Sequence, residues 1–305
     1  MAAAYSTTSA DTVKRTAYEV VTDRILAQLE AGTAPWHKPW GTRNADGSVA
    51  MPKNLISGKV YRGINLLLTL SAGYESQYWL TFKQAKDLGG HVKAGEHSLP
   101  ITFWQFGKDT EEQDGETTER RWAFCRIYHI FNLQQCEIPG LDMTPSDGPK
   151  NTFNAIEACE RVAAGYRGPD VKHGYNRACY MPGFDKIEMP SRETFHSPEE
   201  YYSTLFHEMT HSTGHPSRLK REGITEAHFF GDKVYSKEEL VAEMRAAFLG
   251  GHTAIENKTI DNSAAYLQSW LRVLKADSKM VIVAASAAQR AADLILGVNS
   301  QQGVK

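Results

Sequence analysis

Residues 197–216 read SPEEYYSTLFHEMTHSTGHP, and this stretch decides how the rest of the chain is read. Ser197 followed by Pro198, with Glu200 three positions after the serine, is the pattern of a helix N-terminus, while Gly214 and Pro216 mark its end. The spacing predicts a helix of about four turns. On such a helix His207 and His211 stand at i and i+4, so both imidazoles project from one face. Two neutral imidazoles leave a tetrahedral Zn²⁺ short of one protein ligand and a water. Glu208, one residue after the first histidine, is placed to take a proton from that water as general base. A divalent metal is therefore the expected cofactor, with Zn²⁺ as the reading and Mn²⁺ as the alternative.

The third ligand is sought downstream, where residues 236–251 read SKEELVAEMRAAFLGG. This is a second helical pattern, with Ser236 as its expected cap and Gly250 at its end. It carries Glu239 and Glu243 one turn apart. Either carboxylate could bind metal while the other orients a histidine. Glu239 also sits three residues after Ser236, where it could do no more than complete a capping box. The segment 239–243, ELVAE, resembles the E-x-x-A-[N/D/E] helix that follows HExxH in glutamate zincins. That resemblance implies Glu239 as ligand and Glu243 as the group that orients a histidine. HEMTHSTGH, residues 207–215, partly resembles the metzincins, whose glycine matches Gly214 but whose third histidine would fall at Ser217. His215 enters as an alternative ligand on that ground.

With 305 residues and 41% hydrophobic content the chain is long enough for a sizeable core and about two domains. No apolar run approaches the roughly 20 residues that span a bilayer, and the first residues lack a basic and apolar leader. A cytoplasmic protein without a membrane partner is expected. Cys125, Cys136, Cys159 and Cys179 form no CxxC pair, so they read as reduced thiols. The net charge of −2 neither demands nor excludes nucleic acid.

The predicted fold class is α+β. Residues 12–140 are read as an α+β domain with a small curved sheet, and residues 152–298 as a mainly helical, zincin-like domain with a short sheet. A mobile start at 1–11, a Pro- and Gly-rich linker at 141–151 and a tail at 299–305 complete the division. Residues 12–31 have helical apolar spacing, and residues 100–106 and 122–131 read as strands. Between those strands six acidic residues at 109–119 suggest an exposed hairpin loop. A hairpin turning at Pro182 and Gly183 is expected to lend the second domain its edge strand, where an extended peptide could pair.

Residues 37–97 carry 8 Lys or Arg against 4 Asp or Glu, and the cations alternate with flat rings. Trp36, Lys38, Trp40, Lys53, Tyr61, Arg62, Trp79, Lys83 and Lys93 are the candidates drawn from that mixture. Unpaired bases need π faces and phosphates need positive charge, so the partner this suggests is single-stranded DNA. PWHKPW (35–40), NLISGKVYRGINLLL (54–68), YWLTFKQAKDLGGHVKAGE (78–96), YHIFNLQQ (128–135), DKIEMP (185–190) and YYSTLFHEMTHSTGHPSRLKR (201–221) together resemble the ArdC-type antirestriction proteins of conjugative plasmids. The resemblance covers most of residues 13–250. It implies an N-terminal domain that binds single-stranded DNA, a metallopeptidase-like C-terminal domain, and protection of entering plasmid DNA from host restriction. The competing reading is a DNA-associated regulatory metalloprotease whose main task is to cleave a host protein.

Overall fold

The computed structural model describes residues 15–32, 34, 49–113, 116–141, 155–225, 233–255 and 264–298. The first half runs α1 (Ala17–Glu30), β1 (Lys53–Asn54), α2 (Ile64–Ser71), β2 (Tyr78–Thr81), α3 (Phe82–Asp87), β3 (His91–Val92), β4 (Leu99–Gln113), β5 (Glu116–Asn132) and β6 (Cys136–Glu137). The second runs α4 (Ala155–Gly165), β7 (Asp170–His173), β8 (Cys179–Met181), β9 (Lys186–Met189), α5 (Pro198–Thr213), α6 (Glu222–Thr225), α7 (Lys233–Thr253), α8 (Ala264–Ala276) and α9 (Met280–Leu296). This is the expected α+β class, with a sheet in order β1-β2-β5-β4, a small β3-β6 pair, and a three-stranded sheet in order β7-β9-β8. The positions expected to form the ends and most of the linker (1–11, 142–151 and 299–305) lie outside the described residues.

Helix α1 begins where its chemistry says it should. The Thr16 hydroxyl accepts from the Glu19 amide at 3.2 Å and the Glu19 carboxylate accepts from the Thr16 amide at 2.7 Å, a complete capping box. The periodic reading from residue 12 was therefore too long at its start. Val21, Ile25 and Leu29, one turn apart, are all buried.

The acidic segment corrects a second expectation. Strands β4 and β5 stay paired to Gln113↔Glu116, with Asp109 opposite Arg120 and Thr110 opposite Glu119. Threonines and opposite-charge pairs suit a ribbon, so residues 109–113 and 116–119 of the charge run belong to strand and not to a loop. Near its root the ribbon is held to α2: the backbone N–H of Thr102 donates to Asn65 Oδ1 at 2.8 Å, and Asn65 Nδ2 donates to the Thr102 carbonyl at 2.6 Å. One amide side chain thereby satisfies a stretch of open strand edge.

The larger of two apolar clusters runs through both halves, and the smaller, around Leu80, Ala85, Leu133, Cys136 and Ile138, lies in the first half. Val21, Ile25, Leu67 and Trp79 belong to the same cluster as Leu240, Phe248, Val281 and Ala288. Helix α7 is buried on all sides from Leu240 to Leu249, the mark of a central helix. The alanines of α9 (Ala284, Ala285, Ala288, Ala291 and Ala292) are fully buried, and their size lets helices approach closely. Polar links follow the same path. The Thr22 hydroxyl donates to the Ser278 carbonyl at 2.6 Å, and Arg62 pairs with the buried Asp293. Gly63, at φ +54°, donates its N–H to Gln289 at 3.0 Å, a backbone state that favours glycine.

Trp79 is 1% exposed within this core, which removes it from the set of rings free to stack on a base. Trp79→Ala should cost about 3–5 kcal/mol of stability by leaving a large cavity. Denaturant unfolding tests this, and an unchanged midpoint would contradict the placement.

Candidate metal centre

Ser197 caps α5 as expected, its hydroxyl accepting from the Glu200 amide at 3.2 Å. Glu200 itself reaches one residue further back and accepts from the His196 amide at 2.9 Å. The helix ends at Gly214, whose Cα must lie against Ile224: a Cβ there would stand 2.6 Å from Ile224 Cγ1. Glycine is needed at this position for closeness, since its φ of −76° is ordinary.

On α5 the two imidazoles converge, His207 Nε2 lying 3.0 Å from His211 Nε2. Helix α7 crosses beneath and brings up Glu239, whose carboxylate oxygens lie 3.5 Å from His207 Nε2 and 3.6 Å from His211 Nε2. Among the described residues, His207, His211 and Glu239 form the cluster of donors able to share one ion, all within 4.8 Å of one another. Ligands 2.0–2.1 Å from a tetrahedral centre are roughly 3.3 Å apart. The two imidazole nitrogens are slightly closer than that edge and each has one Glu239 oxygen slightly beyond it, Oε2 for His207 and Oε1 for His211, so the donor set fits a small divalent ion.

The far side of each ring is also occupied. Glu243 Oε1 lies 3.5 Å from His207 Nδ1, and Glu238 Oε1 lies 3.3 Å from His211 Nδ1. A carboxylate at Nδ1 favours the tautomer that keeps the Nε2 lone pair available. Glu238 is held in turn by Arg221, whose Nε and Nη2 donate to its two oxygens at 2.9 and 2.6 Å. The same guanidinium donates to the Thr210 carbonyl and the Thr213 hydroxyl, both at 2.7 Å, which ties α5 to α7.

The electrostatics follow from these neighbours. Burial disfavours charge on His211, but the Glu238 hydrogen bond and the carboxylates of Glu239, Glu238 and Glu208 outweigh it and raise its pKa to about 9. Burial likewise opposes ionised Glu238, yet hydrogen bonds from Arg221 and His211 hold its pKa down at about 2. Glu208 is buried beside the rings, and one oxygen accepts from the Tyr180 backbone N–H of β8 at 2.7 Å. Strand β8 is one of the two outer strands of its sheet, the edge expected from the Pro182–Gly183 turn.

The hairpin is fastened to the end of α5. Asp185, in the left-handed region at φ 43°, takes a hydrogen bond from the Tyr180 hydroxyl at 2.8 Å and a forked pair from Arg218. Arg218 Nε also donates to the Ser212 carbonyl at 2.7 Å. His215 faces this clamp, with Nδ1 2.7 Å from the Ser217 hydroxyl and 4.0 Å from Asp185, and stands apart from the three-donor cluster. Ser236 lies inside α7, which begins at Lys233. It is therefore not the cap, and Glu239 is no part of a capping box. The sequence reading missed Glu238 and Arg221. The doublet Glu238–Glu239 was the available signal, since adjacent helical residues about 100° apart can serve different partners.

The residues expected to contact DNA are placed as follows where the structure describes them. Trp36, Lys38 and Trp40 lie outside the described residues. Tyr61 packs on the core, and Arg62 is ion-paired with Asp293. Lys53 lies 5.0 Å over the Tyr78 ring, and Lys93 donates to the Gln134 carbonyl at 3.0 Å. Lys83 is exposed on α3.

Fold and site together define the class. A model of zincin-like metallopeptidases matches residues 157–287, and a model of the N-terminal domain of the anti-restriction factor ArdC matches residues 15–131. Crystal structures of the antirestriction protein ArdC from plasmid R388 share 37% of residues with this chain. The metal-free form aligns at TM-score 0.69 over 92% of this chain and 96% of its own, and the Mn(II)-bound form at 0.71 over 93% and 98%. The chain belongs to the ArdC-type antirestriction family. An uncharacterized protein, y4eC, of Sinorhizobium fredii is 33% identical over 90% of each chain. Two DNA primases TraC of Escherichia coli are 36% and 34% identical over 95% of this chain, which spans only 28% and 20% of their lengths.

Arg221→Ala should strand the buried Glu238 carboxylate and cost about 3–5 kcal/mol. A thermal melt unchanged by this substitution would show that the guanidinium does not hold the site together.

Proposed function

We propose that this chain is an antirestriction protein that binds single-stranded DNA and carries a divalent-metal, peptidase-like centre. The observation that carries the second part is the convergence of His207 Nε2 and His211 Nε2, 3.0 Å apart, on the Glu239 carboxylate, whose Oε2 lies 3.5 Å from the first and whose Oε1 lies 3.6 Å from the second. Zn²⁺ is the ion proposed, and Mn²⁺, which the R388 relative holds in its crystal, is the alternative. When bound, such an ion supplies Lewis acidity for a carbonyl and acidifies a water. Glu243 and Glu238 orient the two rings, and Glu208 accepts the water's proton while Tyr180 N–H fixes its other oxygen. On the edge strand β8 the Tyr180 N–H is held by Glu208, which leaves its carbonyl for an extended peptide to pair with. Among the described residues no helix is long and apolar enough to cross a membrane, and we place the protein in the cytoplasm, where entering DNA meets restriction enzymes.

Single-stranded DNA is supported by family membership and by the basic, aromatic character of residues 37–97. In competition, single strands should displace a labelled oligothymidylate far better than duplex. Equal displacement would contradict this half of the reading.

Calorimetric titration of the full chain should give about one equivalent of Zn²⁺, abolished by His207→Ala or His211→Ala and weakened by Glu239→Ala more than by His215→Ala. Because His211 must give up a proton whose pKa is about 9, affinity should rise about tenfold per pH unit between pH 7 and 9. A flat pH dependence would contradict that assignment. Glu208→Ala should keep the metal and lose any hydrolysis. Stoichiometric metal retention by both histidine variants would overturn the centre.

A further inference from the structure

We propose that the inner half of the β4–β5 ribbon is the surface on which single-stranded nucleic acid stacks, on a row made by Trp122, Phe124, Arg126 and Tyr128 with Phe103 beside it. The inference rests on the single-strand reading above and gives that reading a location outside residues 37–97.

The register puts these side chains on one face. Phe103 pairs with Arg126, Gln105 with Phe124, Gly107 with Trp122 and Ile101 with Tyr128, and residues i and i+2 of a strand share a face. At the root of the ribbon this face enters the core through Leu99, Ile101 and Ile130. Further out it is open: Phe103 is 54%, Phe124 57% and Tyr128 44% exposed. Apolar rings left in water in a row mark an interaction surface.

The row is also built. A Cβ on Gly107 would stand 2.1 Å from the Trp122 ring, so glycine opposite Trp122 is what lets the indole lie across the ribbon. Trp122 packs on Phe124 at a centroid distance of 5.0 Å, and Phe103 meets Tyr128 edge-on at 5.5 Å. On the opposite face Trp104 rests against Tyr18 of α1 at 5.9 Å, which braces the ribbon from behind.

Ring faces and charge select the occupant. Trp122 and Phe124 are already in contact with each other, as are Phe103 and Tyr128, so a base is taken on the outward faces of the rings, and only an unpaired base has a free face to lay there. Arg126 lies among the rings, exposed and without an ion pair among the described residues. Covering it with a protein surface would require an acid placed opposite, whereas a phosphate chain brings a negative charge with every nucleotide. Residues 108–121, toward the tip of the ribbon, hold six acids against three lysines or arginines, which favours a polyanion on the inner half.

The test is fluorescence anisotropy of a labelled oligothymidylate with the full chain, under conditions where melts confirm folding. Phe103→Ala with Phe124→Ala should weaken binding at least about tenfold, since each stacked base is worth about 1–3 kcal/mol. Phe124→Leu, which keeps bulk and apolarity but removes the π face, should weaken it as well. Arg126→Gln should lower the slope of log affinity against log salt by about 0.7. If the wild type binds and these folded variants match it within about twofold, the ribbon is not the site although single-strand binding stands. If the wild type fails to bind at low salt, both readings fall. Light scattering adds one more outcome: variants that change only the oligomeric state would show that a second copy covers the rings, and would overturn the proposal.

Discussion

Charge buried in a helical core must be balanced, and the second half of this protein is arranged around that requirement. Glu208, Glu238 and Glu243 are buried and Glu239 is half-buried, against the guanidiniums of Arg221 and Arg245. Arg245 is enclosed within α7, its Nη2 donating to the Ser203 carbonyl at 2.8 Å. With neutral imidazoles the four carboxylates exceed the two cations by two charges. Isolated charge at such depth is costly unless it is paired or binds metal. The raised pKa of His211 expresses the same excess as an affinity for protons, and a dication at the three donors removes it.

The remaining elements hold that arrangement in register. Arg221 joins Glu238 of α7 to the backbone of α5, Gly214 lets α6 close against the helix end, and the Asp185–Arg218 clamp fixes the β8–β9 hairpin so that Tyr180 meets Glu208. The first half is not a loosely attached neighbour. Helices α1 and α2 share the core with α8 and α9, and the Arg62–Asp293 pair crosses between the halves. The stability of the metal centre and of the sheet-bearing half are therefore coupled through one apolar cluster.

What the sequence revealed of this was set by how local each signal is. The α5 helix, its Ser197 cap and the outer hairpin strand are written within a few residues of one another, and the structure contains all three. Glu238 was illegible because its neighbour Glu239 fits the same spacing rules and only the crossing of α7 under α5 decides which ring each faces. Ser236 looked like a cap because Ser-x-x-Glu is also an ordinary sequence inside a long helix. Trp79 in a basic setting reads the same whether its ring lies in the core or in solvent. The acids of 109–119 suggested a loop because cross-strand partners such as Asp109 and Arg120 are distant in sequence. The same long pairing conceals from sequence the row of exposed rings on the ribbon.

The central claim is that one dication sits among His207, His211 and Glu239, with Glu238 and Glu243 behind the rings. Anomalous diffraction from crystals grown with Zn²⁺ tests it most directly. The account predicts a single strong peak about 2.0–2.2 Å from His207 Nε2, His211 Nε2 and a Glu239 oxygen, with no bond to Glu238, Glu243 or His215. A peak coordinated by His215 or Glu243 in place of Glu239, or no peak at the two histidines, would contradict it.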